Sequence, residues 1–451
     1  MRIFKIKEFY FPKALPLNKI FQLVTLWIFT AVINALLLKL WNIDTGVPLF
    51  FPISIFSLSI DSDGILFAIL FLAVISFALS RRGPQNLVAI YAFGLLLLVL
   101  GNLTQGNIDA AFLNPISGGD GQYFHDAIQV GRWTDWIRSF NASQEYFVTH
   151  SRTHPPGAVL IEKLFMYGET ALSISLVFSF IASISIVLVY KMFIVVGKDR
   201  YFACRMALLY SVVPAVNIYS VASLDAVIAT LFNMCLLGVL ILSHDKKHSY
   251  SLGASLVVFG LLVSSFLTFA VLFLWAVIFV YAVIVYRSQK NIRIIYSYIA
   301  AATLFIIIIV ITKIYLNYDY IESFMTASRL ENEAGFMLFV SPVKYLATRI
   351  ENVYEIALFL SVGTVSVLMV RDKFEFKGDM NRSLATTAII ILGMMFLTGA
   401  FKTGETARAC LFIVSYILIL LKDINSSLLG SLISLAALQT IIMQQMGNYF
   451  W

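Results

Sequence analysis

Three short polar stretches interrupt an otherwise apolar chain of 451 residues. Their residue types are those of acid–base and anion chemistry. In Gly118-Gly119-Asp120-Gly121 a lone carboxylate sits among glycines that free the backbone. In Ser151-Arg152-Thr153-His154-Pro155-Pro156-Gly157 a cation and an imidazole run into two prolines. Each proline lacks an N–H and restricts the residue before it, so no regular helix continues through. In Phe401-Lys402-Thr403-Gly404-Glu405-Thr406-Ala407-Arg408 two cations flank an acid, and Glu405 and Arg408, three apart, share a helix face. A carboxylate within reach of a hydroxyl can act as a general base. Arg, Lys, His and the open N–H groups of a helix start compensate an anion such as phosphate.

Each residue also has a plain structural role to weigh. After Asp120, residues Tyr123, Phe124, Asp126, Ala127, Ile128, Val130 and Trp133 recur at helical spacing, predicting an amphipathic helix at the membrane surface. Asp120 at its start is either the N-cap or a working carboxylate in a long loop. His125 and Asp126 are adjacent and point apart on a helix; with one His and one Asp elsewhere, no metal-ligand set is indicated. Pro155 and Pro156 stiffen the backbone, Gly157 permits close approach, and a helix starting at Ala158 would offer N–H groups to an anion. The plain alternative is a rigid lead into that helix with His154 as a surface residue. Glu405 and Arg408 could form an interfacial ion pair. Asp225 reads as a helix cap, Lys313 as a snorkelling cation, and Glu162 and Lys163 as a solvated helix face.

The elements that must position these residues lie in a membrane. The chain is 60% hydrophobic and 13% charged, against about 25% charged for soluble domains. An all-α polytopic membrane protein follows, with about thirteen spans (range about 11–14). They fall near 20–42, 64–80, 86–102, 169–190, 204–222, 224–242, 251–267, 270–286, 294–316, 353–370, 384–400, 408–421 and 427–445. Residues 43–63 make a poorer span, and 251–286 reads as a hairpin or as one long helix. The first apolar run is too long for a signal-peptide core and lacks a cleavage site, so it is retained. With the N-terminus in the cytoplasm, 21 of the 32 Lys and Arg fall in the N-terminal lead and the short loops on that side. That asymmetry accounts for the net charge of +7 without a nucleic-acid partner. Two long segments, 103–168 and 317–352, then face outward within one transmembrane domain spanning 1–451. Cys204, Cys235 and Cys410 lack CxxC spacing, so neither a disulfide framework nor a zinc site is indicated. Asn102-Leu103-Thr104 and Asn141-Ala142-Ser143 match the glycosylation pattern. No fixed-period repeat is present, which weighs against a transporter built on inverted repeats.

Asp120-Gly121-Gln122-Tyr123-Phe124-His125 in a long first outer loop, His154-Pro155-Pro156-Gly157 at its close, and Gly404-Glu405-Thr406-Ala407-Arg408 at a late outer helix end resemble the GT-C superfamily of integral membrane glycosyltransferases. The likeness is to the group of polyprenyl- or dolichyl-phosphate-sugar mannosyltransferases and their bacterial relatives. It covers the topology and these three motifs; the rest is generic apolar sequence. The resemblance implies transfer of a sugar from a lipid phosphate carrier to a glycan, lipid or protein acceptor at the outer face of the cell membrane. A loop carboxylate would be the base, at Asp120 or Asp126. Many members carry the acidic motif just after the first span, often as paired acids. Here three candidate spans precede it and Asp120 has no acidic neighbour before Asp126. Phosphate contacts fall to Arg152, His154, Lys402 and Arg408, with Glu405 orienting the arginine. Gly119, Gly121, Pro155, Pro156 and Gly157 shape the loop, and Tyr123, His125 and Asp225 are further candidates. No cofactor is implied. A phosphate leaves without acid help, so one base and an inverting displacement suffice. The rivals are a transporter or lipid flippase, with charges at mid-membrane and paired broken helices, and a non-catalytic scaffold.

Overall fold

A computed structural model describes residues 15–40, 61–80, 86–168, 170–244, 250–370, 379–399, 401, 406–447 and 449. The poorer span at 43–63 lies almost wholly outside these residues; Lys402, Glu405 and the loop cations Arg81, Arg82, Lys246, Lys247, Arg371, Lys373 and Lys377 lie outside them altogether. The described chain is helical throughout, with no β-strand. It begins with α1 (Leu17–Leu40), α2 (Ser62–Leu79) and α3 (Leu87–Leu103). Five short helices follow: α4 (Asn114–Ser117), α5 (Tyr123–Gln129), α6 (Trp133–Ser143), α7 (Thr149–Arg152) and α8 (Gly157–Phe165). A central run comprises α9 (Ala171–Val195), α10 (Arg200–Val212), α11 (Pro214–Tyr219), α12 (Leu224–His244), α13 (Tyr250–Leu267), α14 (Val271–Gln289) and α15 (Arg293–Leu316). Then come α16 (Tyr320–Glu331), α17 (Met337–Val340), α18 (Pro342–Phe359), α19 (Val362–Val370), α20 (Met380–Leu397), α21 (Thr406–Ala409), α22 (Ile413–Ile419) and α23 (Ser426–Met446).

Eight of these helices are long and apolar enough to cross a membrane, or nine with the bent pair α18–α19, among the described residues. The described residues of the thirteen sequence-predicted spans are largely helical, but several of those spans are interrupted. The span at 204–222 divides at Pro214, which cannot donate to the carbonyl four residues back and holds Val213 extended at ψ 131°. The span at 353–370 bends by 100° at Ser361, whose φ of +78° no helix tolerates. At 408–421 only short helices form, and 251–286 is two helices rather than one.

Local chemistry sets the helix ends. Oxygens of Asp61, Asn86, Asp199, Asp319, Asp379 and Asn425 accept first-turn N–H groups of α2, α3, α10, α16, α20 and α23. Packing inside the bundle relies on small residues, because lipid offers no hydrophobic drive for helix association. Gly238, Gly253 and Gly260 bring α12 and α13 so close that an added Cβ would press on the facing helix. On α9, Ser179 and Ser183 each return a hydroxyl to the carbonyl four residues back, at 2.7 and 2.8 Å. Ser185 meets Thr230 of α12 at 2.8 Å. Helix α12 is therefore enclosed: 89% of its membrane-length window is buried, against 17% for α15.

The bundle has two chemically distinct ends. At one, Arg205 donates to the Leu79 and Ser426 carbonyls at 3.1 and 2.8 Å. Lys198 meets Asp423 at 3.0 Å, Lys422 meets Asp379 at 2.7 Å, and Arg382 reaches both acids. The other end carries 103–168 and the segment after α15, fastened together by Asn141. Its side chain donates to the Asp319 carbonyl and accepts the Asp319 N–H, both at 2.9 Å. Asn102 is fully buried and donates to the Asn217 carbonyl at 2.7 Å. Both asparagines of the glycosylation pattern thus hold backbone groups, Asn102 buried and Asn141 half-buried. Lys313 does reach outward, to Asp319 at 2.6 Å.

Candidate functional site

Asp120 sits in a turn held by hydrogen bonds on both sides. Gly119 adopts φ +78°, and its carbonyl lies 2.9 Å from His125 Nε2. The Gly121 carbonyl accepts the His150 N–H at 3.1 Å. Asp126 Oδ2 accepts the Val148 N–H, also at 3.1 Å. The last two bonds staple the turn and α5 to the residues that form α7. Helix α5 starts after Gln122 with no side-chain cap, so Asp120 does not cap it. The Asp120 carboxylate is exposed, with no hydrogen-bond or ion-pair partner among the described residues. The two candidate bases are therefore unlike: Asp126 binds backbone, and Asp120 is open.

Tyr123 connects this turn to the His-Pro-Pro-Gly segment. Its ring lies 5.7 Å from that of His150 and 5.3 Å, edge-on, from that of His154. His154 Nδ1 is 3.0 Å from the His150 carbonyl. A carbonyl only accepts, so the neutral ring carries its proton on Nδ1 and leaves Nε2 a lone pair. Burial pushes His150 down to about 3, with Arg408 and His154 acting the same way. Burial also lowers His154; Asp225, the His150 carbonyl and Glu331 oppose this, and Arg408 adds to it. Both imidazoles are thereby neutral at physiological pH.

Pro155 and Pro156 are buried and α8 begins at Gly157. A Cβ on Gly157 would collide with the Phe266 carbonyl at the end of α13. Close approach is what this glycine provides, and the approach is to protein. Ala158 N–H donates to the Pro155 carbonyl at 3.1 Å, so the helix start is partly occupied. Glu162, read from sequence as solvated, is 2% exposed. One carboxyl oxygen lacks a hydrogen-bond partner, and burial raises the group to about 8. Its partners along the helix face, Ala158 and Phe165, turn inward, the latter against Phe178 of α9 at 6.3 Å between rings.

Arg408 supplies the full positive charge. Its Nε lies 3.4 Å from Asp225 Oδ2, with 15% and 27% of the two side chains exposed. Asp225 is not a cap either: its N–H is taken by Ser223 Oγ at 3.1 Å. The Arg408 segment is held from α18. Ala407 N–H donates to Glu355 Oε1 at 2.8 Å, and the Thr406 hydroxyl and the Asn352 side chain are 2.7 Å apart. Glu355 and Asn352 are fully buried. Arg152 lies in α7, half-buried, with its carbonyl accepting from Gln144 at 2.9 Å.

The structure thus brings Asp120, Tyr123, Arg152, His154, Asp225 and Arg408 to one end of the bundle. It adds His150, Asn352 and Glu355, which the sequence reading passed over. Glu355 had a signal: an acid inside a predicted span is a functional candidate by default. His150 had none until the fold set it beside Tyr123. Among the described residues no three His, Cys, Asp or Glu side chains gather closely enough to hold a metal ion. Compared with family models, curated proteins and solved structures, the chain matches none.

Proposed function

We propose that this protein is a membrane glycosyltransferase that moves a sugar from a polyprenyl-phosphate donor to an acceptor hydroxyl at the outer face of the cell membrane. The observation that carries the reading is the pairing of an open carboxylate with a phosphate-competent cation at one end of an apolar bundle. Asp120 is one residue from Gly121, whose carbonyl holds His150, and Arg408 acts electrostatically on both His150 and His154. In the proposed step the acceptor oxygen attacks the anomeric carbon while its proton passes to Asp120. The bond from that carbon to the phosphate oxygen breaks, and the electron pair leaves on the lipid phosphate, where Arg408 meets the charge. One displacement inverts the anomeric configuration. His154, with a free Nε2, orients a sugar or acceptor hydroxyl. The same proposal includes the finer topology: about thirteen spans, the N-terminus in the cytoplasm and the site outside.

The deciding experiment incubates the purified protein in lipid with labelled polyprenyl-phosphate sugars and follows label released from the lipid. Asp120→Asn should lower release at least about a hundredfold, while Asp126→Asn, which still accepts the Val148 N–H, should retain most of it. Loss in Asp126→Asn alone would move the base. Equal turnover in both variants and the parent would remove the general-base mechanism. A second reading, a lipid or polysaccharide transporter, is favoured by the 100° break between α18 and α19, since broken helices line many transport sites. It requires unmodified labelled lipid to cross proteoliposome membranes.

A further inference from the structure

An open groove lies at the end of the bundle where Lys198, Arg205, Arg382 and Lys422 gather. It encloses about 680 Å³ and is lined by Asn86, Leu87, Val88, Ala89, Ala92, Tyr190, Lys191 and Arg200. Two features meet there. Leu87 and Val88 on the first turn of α3 are exposed apolar side chains, Val88 at 78%. Lys191 on α9 and Arg200 at the start of α10 are exposed cations with no carboxylate partner among the described residues. Asp199 is the nearest acid in sequence; its Oδ1 accepts the Phe202 N–H at 2.8 Å, and it pairs with neither cation among the described residues. The acids that neutralise this end elsewhere, Asp379 and Asp423, are engaged by Lys198, Arg382 and Lys422.

We infer that this groove binds the headgroup of an anionic membrane phospholipid, its phosphate between Lys191 and Arg200 and its acyl chains along the exposed face of α3. The reasoning is complementarity. A free phosphate would need the two cations but not the apolar rim. An acyl chain alone would need the rim but not the cations. A basic pocket between membrane helices at their charged ends suits both halves of one lipid. By the charge asymmetry of the chain, the lipid belongs to the cytoplasmic leaflet. Nothing in this inference depends on glycosyl transfer.

The test is native mass spectrometry of the whole protein released from nanodiscs of zwitterionic lipid with a minority of anionic phospholipid. The parent should retain anionic lipid. The double variant Lys191→Gln/Arg200→Gln should retain roughly thirtyfold less, each cation near a membrane surface contributing about a factor of five. Arg287→Gln/Lys290→Gln, at the same end but outside the groove, should behave as the parent. Val88→Trp fills the rim from an exposed position and keeps both charges; it too should lose the lipid. Equal loss in the two double variants, or full retention in Val88→Trp, overturns the site in favour of diffuse charge attraction. Displacement of the lipid by millimolar inorganic phosphate reassigns the groove to free phosphate and likewise overturns the proposal.

Discussion

At the scale of single residues, the sharpest feature is a set of ionisable groups held away from their ordinary protonation. Glu162 is pushed up to about 8 from 4.5, so the folded protein holds a proton that the unfolded chain releases. Its contribution to stability is full below about pH 4.5 and is lost as pH rises toward 8. His150 works in the other direction: its value of about 3, against 6.5, makes its contribution full above pH 6.5 and lost as pH falls toward 3. Melting temperatures of the purified protein should accordingly fall on the alkaline side as pH rises from about 4.5 toward 8 and on the acid side as it falls from about 6.5 toward 3. Glu162→Gln should flatten the alkaline decline and His150→Gln the acid one; a variant that shifts the whole profile uniformly would mean that burial at that residue is not the cause. Arg408 and Asp225 call for a double-mutant cycle. Each single removal, Arg408→Ala or Asp225→Ala, breaks a partly buried ion pair, and a loss of about 1–3 kcal/mol is expected. The double variant should lose less than the two singles together, and additive losses in melting would show that the pair is not coupled. If the donor reading holds, Arg408→Lys should restore melting more fully than turnover, because a lysine keeps the charge and loses the planar fork.

At the scale of elements, the His-Pro-Pro-Gly stretch is a joint. Two buried prolines deliver Gly157 onto the Phe266 carbonyl, and α8 starts from that contact. Gly157→Ala should cost about 1–3 kcal/mol through overpacking and expose residues 144–165 to protease, whereas Pro156→Ala should be milder. Proteolysis patterns identical to the parent in Gly157→Ala would mean that the contact gives way cheaply. Much of this level was legible in sequence. Apolar runs announced the helices and Pro-Pro announced a break, but the two acids weighed as caps, Asp120 and Asp225, cap no helix, and the six Asp and Asn caps were not read. What was not legible depends on residues far apart in the chain. The bend at Ser361 needs α23, where Gln439 accepts the Val362 N–H at 3.0 Å and donates to the Leu358 carbonyl at 2.8 Å. The burial of Glu162 needs α9, and the pairing of Arg408 with Asp225 joins residues 183 apart. Glu405, the partner expected from helix spacing, lies outside the described residues. Sequence spacing finds neighbours on one helix and is silent about those on another.

At the scale of the whole molecule, both long segments stand at one end of the bundle, and Lys198, Arg205, Arg382 and Lys422 gather at the other. Cysteines introduced into a Cys204→Ser background test the sidedness. Ala142→Cys should react with an impermeant thiol reagent applied outside intact cells, and Lys290→Cys should react only after permeabilisation. The reverse pattern would place the Asp120 turn in the cytoplasm. Both positions are exposed, and Cys235 and Cys410 are buried, so the readout is clean. The contrast between α12 and α15 reaches into the history of the gene. Along α15, lipid asks only that a side chain be oily, so Ile, Leu, Val and Phe can replace one another from one generation's copy to the next. Along α12, glycines, serines and threonines meet on neighbouring helices, and each position admits only what its neighbours leave room for. In descendants of this chain the two helices should keep the same hydrophobicity and drift at different rates, α12 slowly and α15 fast. An enclosed helix would then remain a recognisable signature of ancestry after the lipid-facing helices had lost theirs.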